Sequence, residues 1–154
     1  MPGIIDIHAH AFPDALAEKA VQQIGNHYSL KMNGKGTLSD LLESAERSKI
    51  DYIVFHATAT KPAQVPSINN WIIENTGGRL IGFGTLRPDY EDSEAEFERI
   101  LTAGIKGIKL HPDFQRFYPI VYHETELNDF YKLGLDEDER ADILYQNAAG
   151  LLGL

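Results

Sequence analysis

Short apolar runs alternate four times with amphipathic stretches between residue 3 and residue 111. The apolar runs are rich in Ile, Val, Leu and Phe, which is typical of parallel strands that are buried on both faces. They predict strands over residues 3–8, 51–57, 79–86 and 105–111. Because strands that alternate with helices form a parallel sheet, the sequence predicts an α/β fold.

Four helices are predicted between these strands from apolar residues that lie three and four positions apart. The first spans residues 13–24, and the second follows an N-cap at Thr37. The third spans residues 67–75. The fourth has Ser93 as its predicted N-cap. Three residues of this last helix are expected to face inward: Phe97, Ile100 and Leu101.

The strand–helix rhythm stops after the fourth predicted strand. Two further helices are predicted over residues 126–133 and 136–152. The predicted fold is therefore an α/β fold with a parallel sheet, followed by two C-terminal helices. Within this single predicted domain, the strand–helix units occupy residues 1–117 and the helical segment occupies residues 118–154.

Charge and composition narrow the possible function classes. The formal net charge is −9, which repels nucleic acids and anionic membranes, so we expect neither as a partner. The chain has no cysteine, which excludes a thiol nucleophile, a disulfide scaffold and a zinc ribbon. No apolar run approaches the length of a membrane span, and no leader peptide is recognisable. We therefore expect a cytoplasmic protein whose partner is a small-molecule substrate.

His8 and His10 lie one residue apart at the end of the first apolar run. Side chains two positions apart on a strand share a face, so we expect both imidazoles and the Asp6 carboxylate on one face. Parallel α/β folds place their active sites at the carboxyl ends of the strands. His8 and His10 are therefore predicted to bind a divalent metal. Imidazole nitrogen suits zinc, iron, nickel and manganese, so the pair does not choose among these metals. The other interpretation is a pair of partly exposed histidines without a metal.

Five further positions carry weaker signals. Lys109 and His111 end the fourth predicted strand and are expected to share a face. Contact with substrate is the favoured role for both, and metal ligation by His111 is the alternative. His56 is interpreted as a structural or rim histidine, because the alternation of its strand is ambiguous. His27 and His123 are assigned to loops.

Four segments resemble the amidohydrolase superfamily, in its branch of amidohydrolase-related TIM-barrel metal-dependent hydrolases. IIDIHAHAFPD (4–14) resembles the opening strand with its metal motif, and GFGTLRPD (82–89) resembles the third strand. GIKGIKLHPDFQ (104–115) is similar to the fourth strand and its loop, and ILYQNAAGLLGL (143–154) is similar to the final helix. These segments follow the order of the family.

The resemblance implies one or two divalent metals, with zinc expected and manganese or iron as alternatives. In the family the metal activates a water for attack on a C–N or C–O bond, or a related decarboxylation. The resemblance implies metal ligation by His8 and His10, and it places Lys109 where binuclear relatives carry a carboxylated lysine.

The resemblance also implies the fold. A complete barrel of eight strand–helix units needs about 250 residues, whereas this chain has 154. The later strands of the family, with the aspartate that acts as general base, have no counterpart, so the catalytic residues stay unknown. Tyr118-Pro119 resembles the tail of that aspartate motif without its Asp. The chain thus resembles a family member with an internal deletion near residues 117–119, and the implied fold is a partial (half) TIM barrel with two C-terminal helices.

Three functions are compatible with these patterns. The first is a metal-dependent hydrolase of the amidohydrolase type. The second is a catalytically incomplete half-barrel that binds a metal or a small acid, and the third is an interaction module with an open sheet. A carboxylate beside the metal separates the first two functions, and Asp6 and Asp113 are the candidates for it.

A half-barrel exposes two sheet edges and one apolar face, so we expect this chain to form a homodimer or a larger assembly. Sedimentation velocity on the purified chain measures its oligomeric state directly. A single monomeric species that also melts cooperatively would contradict the expectation.

Overall fold

The computed structural model describes residues 3–111, residue 115 and residues 137–141. The chain divides into two compact units, Met1–Phe117 and Tyr118–Leu154. In the first unit, four parallel strands form a curled half-barrel in the order β1-β2-β3-β4, which confirms the predicted fold class. Consecutive strands are neighbours in this sheet, as they are in a TIM barrel.

The strands of the first unit are β1 (Ile5–His10), β2 (Tyr52–His56), β3 (Leu80–Thr85) and β4 (Ile108–Lys109). Its α-helices are α1 (Asp14–Tyr28), α2 (Leu38–Ser48), α3 (Val65–Asn75) and α4 (Ser93–Thr102), and a 3₁₀ turn covers Pro62–Gln64. In the second unit, α5 (Glu137–Ala141) lies within the helix predicted over residues 136–152. The helix predicted over residues 126–133 and His123 lie outside the described residues. No helix in the described part of the chain is long and apolar enough to cross a membrane.

The hydrophobic core lies between one face of the sheet and the helices. Ile53 and Phe55 of β2 are fully buried there, and Ile72 of α3 and Ile100 of α4 pack in the same core. Because side chains alternate along a strand, the neighbouring His56 lies on the opposite face of β2. The face of the sheet that packs against the helices is therefore apolar, and the His56 imidazole lies on the other face.

Strand β1 ends two residues later than predicted and includes both His8 and His10. It pairs in parallel with β2, and the register shifts between Asp6 and Ala9. Ala9 packs in the core against Ile53, so His8 and His10 flank a residue that faces the helices. The shift interrupts simple alternation between Asp6 and His8, because an extra residue on one strand changes which side chains share a face.

Strand β4 is shorter than predicted and contains only Ile108 and Lys109. The N–H of Ile105 donates a hydrogen bond to the carbonyl of Ile100, one of the carbonyl groups that are left without a helical partner at the end of α4. Gly104, with a φ of 88°, turns the chain between these two residues. Ile105, at the start of the predicted strand, therefore bonds to the end of α4 and packs in the core, and it is not part of the sheet.

The inward orientation predicted for Phe97 and Leu101 is wrong, since these side chains are 43% and 56% exposed. The buried stripe of α4 is formed by Glu96 and Ile100. The Glu96 carboxylate accepts a hydrogen bond from the Asn69 amide of α3 at 2.6 Å, and this contact orients the helix. A residue one position further along a helix lies about 100° around its axis, which turns Phe97 and Leu101 away.

Two helix boundaries also differ from expectation, whereas one is confirmed. Thr37 caps α2 as predicted, since its hydroxyl accepts the N–H of Asp40 at 3.2 Å. Ser93 is the first residue of α4 and not its N-cap, because its hydroxyl donates to backbone carbonyls of the preceding loop. His27 lies in α1 and not in a loop, because the helix continues until Ser29 adopts a left-handed conformation with a φ of 55°.

Asn69 joins α3, β3 and α4, and we expect its replacement by alanine to lower the free energy of unfolding by about 2–3 kcal/mol. Its side chain is fully buried, donates to the Thr85 carbonyl at 3.0 Å and accepts the Thr85 N–H at 2.7 Å. Asn69→Ala leaves these groups and Glu96 without their partner. Asn70→Ala is the matched control, because Asn70 is exposed on the same helix. Equal urea midpoints for the two variants would contradict this assignment.

Candidate metal centre

Three histidines from adjacent strands meet on the face of the sheet that points away from the helices. His8 and His10 come from β1, and His56 ends β2. The parallel register places His10 directly opposite His56. Each residue offers one ring nitrogen, and these nitrogens all lie within 4.8 Å of one another. The cluster therefore has the composition and size of a metal site, and we call it the histidine triad.

The ring geometry of the histidine triad is compatible with one shared ion. The Nε2 atoms of His8 and His10 are 3.2 Å apart. Two nitrogens bound to one tetrahedral zinc at about 2.0–2.1 Å lie about 3.3 Å apart. The ring centroid of His56 is 4.9 Å from that of His8 and 4.2 Å from that of His10. All three imidazoles thus lie close enough together to contribute to one site.

Burial keeps two of these imidazoles neutral. Burial first, and then the nearby Lys109 ammonium, lowers the pKa of His10 from 6.5 to about 4. Burial and the neighbouring His10 lower the pKa of His56 to about 3. Neutral imidazole is the form that binds metals. At neutral pH, His10 and His56 therefore need not release a proton before binding an ion.

His56 carries a further sign of an incomplete contact. Its side chain is 2% exposed, and its Nδ1 atom is buried without a hydrogen-bond partner. An unsatisfied buried polar atom costs about 1–3 kcal/mol. In a metal-bound histidine, the ring nitrogen that does not hold the ion usually has a hydrogen-bond partner. Nδ1 of His56 has no such partner. An ion bound to the other nitrogen would nevertheless offset part of the free-energy cost of burying this ring.

Lys109 lies directly beside the histidine triad. Ile108 packs against the core, so Lys109 lies on the same face of the sheet as the three rings. Its Nζ atom is 3.2 Å from Nε2 of His8, and burial lowers the pKa of its ammonium. The structure therefore brings Lys109 together with the predicted metal pair, at a distance where a cation would compete with a metal for the same lone pair.

His111 lies at the border of the histidine triad. Its ring centroid is 6.3 Å from that of His10, and it is not one of the three residues whose ligand atoms cluster. Its position is compatible with the predicted contact to substrate. Metal ligation by His111 stays an untested alternative.

Asp6 does not bring its carboxylate to the rings. Its Oδ1 accepts the backbone N–H of His8 at 3.0 Å, next to the register shift in β1. Asp6 thereby holds the local path of the strand that carries the two histidines. Asp113, the other predicted carboxylate, lies outside the described residues.

Gln115 braces the strand ends that carry the site, and sequence reasoning did not identify it. Its side-chain amide donates to the carbonyls of Leu86 at 2.7 Å and Ala59 at 3.3 Å, which follow β3 and β2. Its Oε1 accepts the N–H of His111 at 2.8 Å. A glutamine in a polar loop has no sequence signature for such a role, since the role depends on burial.

His56 was underrated for a physical reason. Val54, Phe55 and their neighbours form a continuous apolar run, because a parallel strand is buried on both faces. Such a run gives no clue to which residues share a face. The packing of Phe55 in the core shows which side His56 occupies.

No family model, no curated protein and no solved structure matches this chain.

We expect Lys109→Met to tighten zinc binding by about tenfold, because it removes a positive charge beside the histidine triad. Isothermal titration calorimetry measures the effect. Lys106→Met, an exposed position on the approach to β4, is a matched control with the same change in net charge. Weaker zinc binding in Lys109→Met would instead identify Lys109 as a ligand.

Proposed function

We propose that this chain is a divalent-metal-dependent hydrolase whose metal is held by His8, His10 and His56. The observation that carries the proposal is the convergence of three ring nitrogens within 4.8 Å at the carboxyl ends of two parallel strands. Nitrogen ligands suit zinc, manganese and iron, and three imidazoles favour zinc.

The number of ligands favours catalysis over a purely structural role. Structural zinc sites are closed by four protein ligands, whereas catalytic sites use three and leave a position open. When bound in such a site, the ion acidifies water and polarises a carbonyl group. His8 is exposed and His56 is buried, so the open side of the histidine triad faces away from His56.

The neighbouring residues have roles of their own in this proposal. Lys109 and His111 lie beside the histidine triad, where their side chains are suited to hold a carbonyl oxygen or a leaving group. Gln115 fixes the backbone that carries His111. We assign the substrate contact to Lys109 and His111 and the bracing role to Gln115.

The segments that resemble the amidohydrolase superfamily support the same chemistry, and membership in that superfamily is part of the proposal. The proposal includes a small-molecule substrate, a cytoplasmic location and self-association of the chain. The general-base aspartate of that superfamily has no counterpart in this sequence, so water activation would depend on the ion and the basic groups beside it.

A metal-binding half-barrel without hydrolytic activity is the second candidate. One observation favours it: within the described residues, the clustered ligands are three histidines, and no carboxylate joins them. The nearby Asp6 carboxylate is bonded to the backbone of β1. Both candidate functions include metal binding, and only the first includes hydrolysis of a substrate.

The first experiment measures metal binding. After treatment with a chelator and dialysis, the chain is expected to bind one zinc ion, and His56→Gln is expected to weaken binding roughly tenfold or more because it removes one of three ligands. His27→Gln, the same change in a histidine of α1 that is not one of the three clustered ligands, is the control. Far-UV circular dichroism checks that the buried variant is folded. Failure of the wild-type chain to bind zinc, manganese or iron would contradict both candidates.

The same samples separate the two candidates. A hydrolase is expected to cleave p-nitrophenyl acetate faster with zinc than without it, and the double variant His8→Ala with His10→Ala is expected to lose that difference. Zinc binding without any zinc-dependent cleavage would favour the second candidate.

A further inference from the structure

A mostly apolar cavity of about 410 Å³ lies beside the histidine triad. His10 and His111 form part of its wall. Its volume is within the range of small-molecule sites, about 300–1,000 Å³. Six residues form its apolar walls: Phe12, Val21, Ile24, Tyr28, Met32 and Leu41.

A second cavity of about 250 Å³ has three lining residues in common with the first: His10, Phe12 and Ile24. Both cavities therefore border the same histidine of the triad.

Neither cavity offers a cationic partner for an anion. Among the described residues that line them there is no Lys or Arg, and the only carboxylate is Asp40. An anionic substituent on the group that fills the cavity would lose its hydration here without gaining an ion pair, whereas an apolar group would be removed from water.

We infer that these cavities select amides or esters that carry a small aryl or branched aliphatic group without a negative charge. The inference rests on the proposed function for the reacting centre: the scissile carbonyl lies near His10, and the apolar group occupies the larger cavity. In the hydrolysis, the oxygen of water bonds to the carbonyl carbon and the C–N or C–O bond breaks. One proton of water goes to the leaving nitrogen or oxygen, so the products are an acid and an amine or alcohol.

The test uses the full-length chain without metal, so that coordination to an ion does not contribute. Benzamide is compared with acetamide, which lacks the apolar group, and with 4-carbamoylbenzoate, which keeps the ring and the amide but adds a negative charge to the far side of the ring. Ligand-observed NMR measures the three affinities. Benzamide is expected to bind about tenfold more tightly than each of the others. Equal or tighter binding of acetamide or 4-carbamoylbenzoate would overturn the inference.

A charge placed in the shared wall gives a second readout. Ile24 is half-buried and lines both cavities, so Ile24→Lys is expected to weaken benzamide and to reverse the preference in favour of 4-carbamoylbenzoate. Gln22→Lys adds the same charge on the exposed side of α1, away from both cavities, and is expected to leave the order of affinities unchanged. An unchanged order in folded Ile24→Lys would overturn the inference.

If Ile24→Lys does not fold, Ser44→Trp provides the same test by filling the rim of the larger cavity, and Ser48→Trp, one turn further along α2, is its control. Ser44→Trp is expected to weaken benzamide and to leave acetamide unchanged, and equal benzamide affinities in the two variants would overturn the inference. The outcomes also separate the two proposals. Zinc binding without preference for benzamide overturns only the inference, and preference for benzamide without zinc binding overturns only the proposed function.

Discussion

The parallel pairing of β1 with β2 is the constraint on which the site depends. It sets His10 opposite His56, and the register shift between Asp6 and Ala9 lies directly before the two histidines of β1. Ligands on two neighbouring strands require that both strands keep this register, because a slip by one residue would send a side chain to the other face of the sheet. The grouping of the three histidines is thus a consequence of strand pairing, and the helices contribute by holding the opposite face.

Buried polar groups also join β3 to the segments that follow β2 and β4 at the carboxyl ends of the strands. Asn69 bonds both backbone groups of Thr85, and the Thr85 hydroxyl accepts the N–H of Ala59 at 3.1 Å. Gln115 links the loops that follow β2, β3 and β4. These contacts lie next to the site, where a loose strand end would move a ligand. A polar network can fix a position in this way only if its members are satisfied, as Asn69 and Gln115 are.

The electrostatics of the site combine favourable and opposing contributions. Burial lowers the pKa of His10 and of His56, so their lone pairs are available to an ion. The ammonium of Lys109 opposes the approach of an ion, and burial lowers its pKa as well, which reduces that opposition. The affinity for a metal depends on this balance, since nitrogen ligands alone do not set it.

The sequence predicted the sheet and two of the three histidines of the triad, and the remainder depends on packing. Alternation of apolar runs predicted four parallel strands, and the spacing of His8 and His10 predicted that their side chains share a face at the end of the first strand. His56 was interpreted as a structural or rim histidine, because an apolar run in a parallel strand hides which residues share a face.

Two other features also depend on packing. Phe97 and Leu101 were predicted to be buried because hydrophobicity alone does not reveal that Glu96 is held inside by Asn69 and Arg99. The role of Gln115 has no sequence signature, because two of its partners, Ala59 and Leu86, are 56 and 29 positions away along the chain.

X-ray absorption spectroscopy of the zinc-loaded chain tests the three-histidine centre most directly. A zinc ion bound by His8, His10 and His56 would have three imidazole nitrogens at about 2.0–2.1 Å and a water oxygen as its fourth ligand. The outer-shell scattering of the imidazole rings gives the number of histidines. Three rings in the wild-type chain and two in His56→Gln are the predicted result. A shell made of oxygens, or one with the same number of rings in both proteins, would contradict a metal centre that includes His56.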